Sequence, residues 1–165
     1  MDFEAYPKHP GWKVGNEAPN IRDPLPDSPE DEMICLYGSA PGDWEHRLYL
    51  VPANTRIDEI VEFFEVGTHD AIARHWEERD CMDLVIDTLT AVHGIVPGSI
   101  QLADSGALLF RFWRRLRLDE LEEIEAAYEK VDEFKAGLEG YLNGATGDSI
   151  LAEVRETGVL RLWWP

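Results

Sequence analysis

Five histidines, two cysteines, a short arginine run and 33 acidic residues are the side chains through which this 165-residue chain could do chemistry. The histidines do not assemble a metal set along the sequence. His69 and His75 are six apart, so on a helix they fall on different faces and cannot chelate one ion as an i, i+4 pair can. His75 and Glu78 are three apart and share a helical face, but this is a single HxxE. A carboxylate-bridged site needs further ligands from facing helices. His46 and His93 are isolated in sequence. The expectation is no metal site and no cofactor.

Nucleophilic chemistry is no better served. Cys35 lies in the apolar run Met33–Tyr37, where a thiolate is disfavoured. Cys81 lies at an expected helix start, which lowers a thiol pKa, yet Glu78, Asp80 and Asp83 surround it. The chain has no GxSxG, no P-loop and no GxGxxG. A carboxylate pair for glycoside-type chemistry cannot be singled out among so many acids. No catalytic residue is assigned, and the chain is expected to be non-enzymatic. The alternative is a small enzyme whose pocket gathers His75, His93 or a cysteine.

Arg111, Arg114, Arg115 and Arg117 form the one basic island, with Trp113 among them. Such a strip can grip phosphate and stack a base. It sits, however, in a chain of net charge −18, from 15 basic and 33 acidic residues, which repels nucleic acid and anionic membrane and attracts basic surfaces. Pairing with the acids that follow is the simpler use of these arginines, and direct nucleic-acid binding is not expected.

The acids concentrate in the stretch 118–142, LDELEEIEAAYEKVDEFKAGLEGYL. Leu118, Leu121, Ile124, Tyr128, Val131, Phe134, Leu138 and Tyr141 recur at the three-and-four spacing of one helical face. Asp119 and Glu122 resemble a capping box, and Gly144 is a stop. The remaining faces carry nine carboxylates between Asp119 and Glu139. At about 1.5 Å of rise per residue this is one charge per roughly 3.5 Å, close to the ~3.4 Å per charge along one strand of duplex DNA. The match permits phosphate mimicry. A plain solvated face and adaptation to high salt or a GC-rich genome account for the acid equally simply.

These residues must be positioned by a fold, and the chain is long enough to build one core. Hydrophobic residues make up 44% and aromatics 10%, which excludes a disordered chain. Two cysteines outside any CxxC do not make a disulfide scaffold. The N-terminus lacks the basic start and apolar run of a signal peptide. No apolar run is long enough to span a membrane. A cytoplasmic protein with reduced thiols is expected.

Residues 1–32 hold six of the ten prolines and read as an extended acidic arm with little regular structure, pinned by Phe3, Tyr6 and Trp12. Residues 33–165 read as one domain. Met33–Tyr37 and Trp44–Val51 form a hairpin. A helix runs from a Thr55 cap through Phe64, with Asp58, Glu59, Glu62 and Glu65 on its wet side. From His69 to His93 the apolar register breaks at 77–80, which means a kink or two helices, the second capped by Asp80. Ser99–Ala103 and Ala107–Leu116 form a second hairpin. The acidic helix, a short helix at Ser149–Glu156 and a closing strand at Val159–Trp164 follow. The order predicts an α+β domain: a mainly antiparallel sheet of about four to five strands, with helices on one face.

The function this reading predicts is interaction. Carboxylates at Glu122, Glu123, Glu125, Glu129, Asp132 and Glu133, with Asp58, Glu59, Glu62 and Glu65 as a second set, would occupy the basic groove of a nuclease or nucleoprotein complex. The protein would then act as an anti-CRISPR or anti-restriction inhibitor of the nucleic-acid-mimic type. Alternatives are an immunity protein against a nuclease toxin, and an assembly protein that self-associates through its arm and exposed tryptophans. Oligomeric state is left open.

Overall fold

Alternation decides the sheet. In Ala107–Phe112 the side chains of Leu108, Phe110 and Phe112 are buried and those between them half-buried, the period of two that gives each face of a strand its own set. The computed structural model describes residues 2–16, 25, 28, 30–43, 45–69, 71, 75–136 and 147–163, with the side chains of 130–136, 147–151 and 163 outside that set. Among the described residues there are seven strands: β1 (Phe3–Ala5), β2 (Lys13–Gly15), β3 (Met33–Gly38), β4 (Arg47–Pro52), β5 (Gly98–Ala103), β6 (Ala107–Phe112) and β7 (Val159–Trp163). Four helices accompany them: α1 (Ile57–Phe64), α2 (Glu78–Ile95), α3 (Leu118–Ala136) and α4 (Gly147–Thr157). The fold is α+β.

The strands make one open sheet in the order β1-β2-β4-β3-β5-β6-β7. Every neighbouring pair is antiparallel except β3 and β5, which run parallel with Tyr37 opposite Leu102 and Gly38 opposite Ala103. That central pairing joins the two expected hairpins. The closing strand, which the sequence could place beside either hairpin, pairs with β6, Leu108 facing Leu162 and Phe110 facing Leu160.

One face of the sheet carries Leu36, Tyr49, Val51, Ile100, Leu108, Phe110, Phe112, Leu160 and Leu162. They form a single core with Val61 and Phe64 of α1, Val85, Leu89 and Val92 of α2, Ile124 and Tyr128 of α3, and Val154 of α4. The helices therefore pack over one face. They follow one another across it: α2 touches both α1 and α3, and α4 packs on α3 and β7. The parallel joint needs small residues. A Cβ on Gly38 would run into the Ala103 carbonyl oxygen and meet Phe64 Cε1 at 2.9 Å.

Several expectations need correction. The sheet has seven strands, not four to five, because the start of the chain supplies two. Residues 3–5 and 13–15 pair with each other, and Lys13 and Val14 pair with Leu50 and Tyr49 of β4. Trp12 is 2% exposed, stacks on His9 at 4.0 Å and packs edge-on against Phe63 at 4.9 Å. An aromatic cluster thus draws this segment into the fold where an arm was expected. Of the proline-rich remainder, 17–24, 26, 27 and 29 lie outside the described residues. The second hairpin is also shorter: β6 stops at Phe112, and Arg114–Arg117 form the loop into α3. Helix α2 starts at Glu78, with Glu77 rather than Asp80 at the cap position. No helix among the described residues is long and apolar enough to cross a membrane.

Candidate interaction face

The loop from β6 to α3 is built around Glu120. Expected on the wet side of the helix, it is 3% exposed. Arg114 donates to both its oxygens, at 2.8 and 2.5 Å, a charge-assisted bidentate pair. The Arg117 backbone N–H donates to its Oε1 at 2.9 Å. Glu120 is thus the third helical residue reaching back to the residue before the helix, half of a capping box two positions upstream of the expected one. Arg114 first, then the Arg117 N–H, holds its carboxyl down at about 2 against the pull of burial. Asp119 accepts from Arg117 at 3.2 Å, and that contact lowers its pKa and raises that of Arg117. Two of the four clustered arginines are therefore consumed by the first turn of the acidic helix.

Beyond that turn the helix changes character. Ile124 and Tyr128 are buried, whereas Glu122, Glu123, Glu125 and Glu129 are exposed. Among the described residues none of these four makes an ion pair. From Glu122 to Glu129 the axis advances about 10.5 Å at ~1.5 Å per residue. The side chains of Asp132 and Glu133 lie outside the described residues, as does Glu139.

The second acidic set is placed differently. Arg56 lies 3.1 Å from Asp58 and 3.3 Å from Glu59, and Arg79 of α2 pairs with Glu62 at 3.2 Å while also holding Asp83. Glu65 is no longer helical: it caps α1 in the left-handed conformation, φ 51°. Asp58, Glu59 and Glu62 are thus locally compensated, and α2 lies between α1 and α3.

Leu118, expected on the buried face of α3, is 67% exposed, and Trp113 is 62% exposed; among the described residues they are the only large apolar side chains at the surface. They flank a groove of about 630 Å³ between the β6–α3 loop and the end of α4. An adjoining hollow of about 650 Å³ continues along α3 past Glu122 and Glu125.

One polar cluster has no local signature in the sequence. His46 Nε2 lies 2.9 Å from Asp104 Oδ2, while the backbone N–H groups of Gly106 and Ala107 donate to Asp104 Oδ1 at 2.8 Å each. The two residues are 58 positions apart, so no local pattern announces the pair. It ties the β3–β4 turn to the β5–β6 turn beside His69, which lines the same cleft. Among the described residues no group of three or more His, Cys, Asp or Glu is placed to hold a metal. His75 sits in a turn with φ 62° ahead of α2, so it and Glu78 do not share a helical face. Cys81 is 1% exposed; burial, then Asp80 and Glu78, push its thiol up, the opposite of what a nucleophile needs. No protein-family model matches the chain, and neither a curated protein nor a solved structure matches it.

Proposed function

We propose that this protein is a non-enzymatic inhibitor that lays the outer face of α3 into the basic, nucleic-acid-binding groove of a nuclease or nucleoprotein defence complex. The observation that carries the reading is the row Glu122, Glu123, Glu125 and Glu129: exposed, on one rigid helix, and without a cationic partner among the described residues. Carboxylates that the fold needs are paired here, as Glu120, Asp119, Asp58, Glu59 and Glu62 are. These four are available to a partner outside the chain, as exposed Asp87 and Glu156 also are, and they are the ones that share a helix at this spacing. Their spacing, about one per 3.5 Å of axis, approaches that of phosphates along a nucleic-acid strand. A chain of net charge −18 steers a basic partner to it. The helix is held at both flanks by α2 and α4, so little ordering cost attends binding.

The test is capture from a host lysate at low and at raised salt with the tagged protein, followed by the variant Glu122→Lys/Glu125→Lys/Glu129→Lys. All three side chains are exposed, so the fold should survive, as far-UV circular dichroism checks. A nuclease or nucleoprotein retained at low salt, released at about 0.5 M salt and lost with the triple variant is the expected result. Retention by the triple variant would show that α3 is not the interface.

A further inference from the structure

We propose that the groove between the β6–α3 loop and α4 is a self-complementary surface through which two copies of this chain associate about a two-fold axis. Trp113 and Leu118 of each copy pack into the groove of the other, and Arg115 and Arg155 face the other copy's Glu122 and Glu125. Glu122 and Glu125 serve both surfaces, so the second copy and a basic partner on α3 exclude one another.

The apolar part comes from Trp113 and Leu118, 62% and 67% exposed. Single exposed hydrophobics are ordinary, but these two line one concavity, and tryptophan and arginine are the commonest anchors of protein interfaces. The surface is also preorganised. Trp113 N–H donates to Pro97 O at 3.1 Å, and Phe112 N–H donates to Gly158 O at 3.0 Å. Gly158, at φ 71°, makes the turn from α4 into β7 that brings this carbonyl into place. The exposed indole thus projects from a backbone pinned on two sides.

The charges identify the occupant. Arg114 and Arg117 are spent on Glu120 and Asp119. Arg115 and Arg155 are exposed, and among the described residues neither forms an ion pair. Both line the two adjoining hollows, the second of which also carries Glu122 and Glu125. An acidic partner would meet those carboxylates and the net charge of −18. A purely basic one that filled both hollows would leave both arginines buried against like charge. A surface holding unpaired cations and unpaired anions together is matched by its own two-fold image, since an isologous contact sets residue i against j and j against i. Two chains of this net charge repel at long range, so association tightens as salt screens that repulsion over a Debye length of about 10 Å at 0.1 M.

Sedimentation velocity on the full chain, from about 1 to about 100 µM and at low and ~0.5 M salt, reads the equilibrium. A monomer–dimer equilibrium that tightens with salt is expected, and Trp113→Ala/Leu118→Ala should weaken it at least tenfold with an unchanged far-UV spectrum. A charge exchange separates this surface from any other. Arg115→Glu/Arg155→Glu makes the groove predominantly acidic; Glu122→Arg/Glu125→Arg makes it predominantly basic, with Glu156 the acid left in it. Each variant alone should be monomeric, and their equimolar mixture should form the heterodimer. Both carry strong net negative charge, so general attraction does not produce that result. Wild type that stays monomeric throughout, a dimer indifferent to the Trp113 and Leu118 changes, or a mixture that does not associate would each overturn the proposal.

Discussion

Glu120 sits at 3% exposure with Arg114 on both oxygens, and the consequence is a pH dependence of known sign. Its folded pKa of about 2 lies below its ordinary 4.5. The unfolded chain therefore binds the proton first on acidification, and the stability Glu120 contributes is full above the ordinary value and lost as pH falls toward the folded one. Glu120→Gln should melt below wild type at neutral pH, because Arg114 and the Arg117 N–H lose a charged acceptor. The gap should close between about pH 4.5 and 2. Other carboxylates titrate in both proteins, so the difference in melting temperature isolates this one. A gap constant down to pH 2 would mean that Glu120 acts by packing alone. The parallel joint makes a second claim at this scale. Gly38→Ala pushes a methyl group into the Ala103 carbonyl and the Phe64 ring, and should cost about 1–3 kcal/mol in denaturant unfolding.

At the scale of elements, what was legible depended on how far the deciding contacts reach. The acidic helix could be read because its three-and-four spacing is local, and the hairpins because alternation and turn residues are local. The two N-terminal strands could not be read. Three residues each, they have no periodicity of their own and exist because Trp12 finds Phe63 and Phe64 some fifty positions away. The truncated arginine strand has the same origin: Arg114 leaves the sheet to reach Glu120. The spacing puts Leu118 in the core, but it opens the helix, where no element among the described residues covers it. The proposed interaction face was thus half visible. The acids could be counted, but not which of them the fold had already used. Trp12→Ala measures how firmly the N-terminal strands are held. Removing a buried tryptophan costs about 3–5 kcal/mol, and if β1 and β2 depend on it, their amides should lose hydrogen-exchange protection while β5 and β6 keep theirs. Uniform loss would show that the seven strands unfold as one unit.

Over the whole molecule the carboxylates of α3 that are unpaired among the described residues carry an energetic cost. Net charge of −18 makes the compact state repel itself. Glu125 and Glu129 are one turn apart, so as like charges at i, i+4 they oppose the helix that carries them. They lie beyond the first turn, where an acid would gain from the helix dipole. If these side chains are kept for a partner, reversing them should relieve the fold: Glu122→Lys/Glu125→Lys/Glu129→Lys should raise the melting temperature by about 2–4 °C at low ionic strength for a chain of this size. The gain should shrink in ~0.5 M salt, where the Debye length falls toward 3 Å. The same substitutions are expected to abolish capture of a basic partner, so stability and binding would move in opposite directions, as they do where a site is maintained against the stability of its fold. A lower melting temperature at low salt would mean instead that these carboxylates hold a structural contact. A gain in stability with capture intact would leave the acidity as a property of the surface, and the interface would have to be sought away from α3.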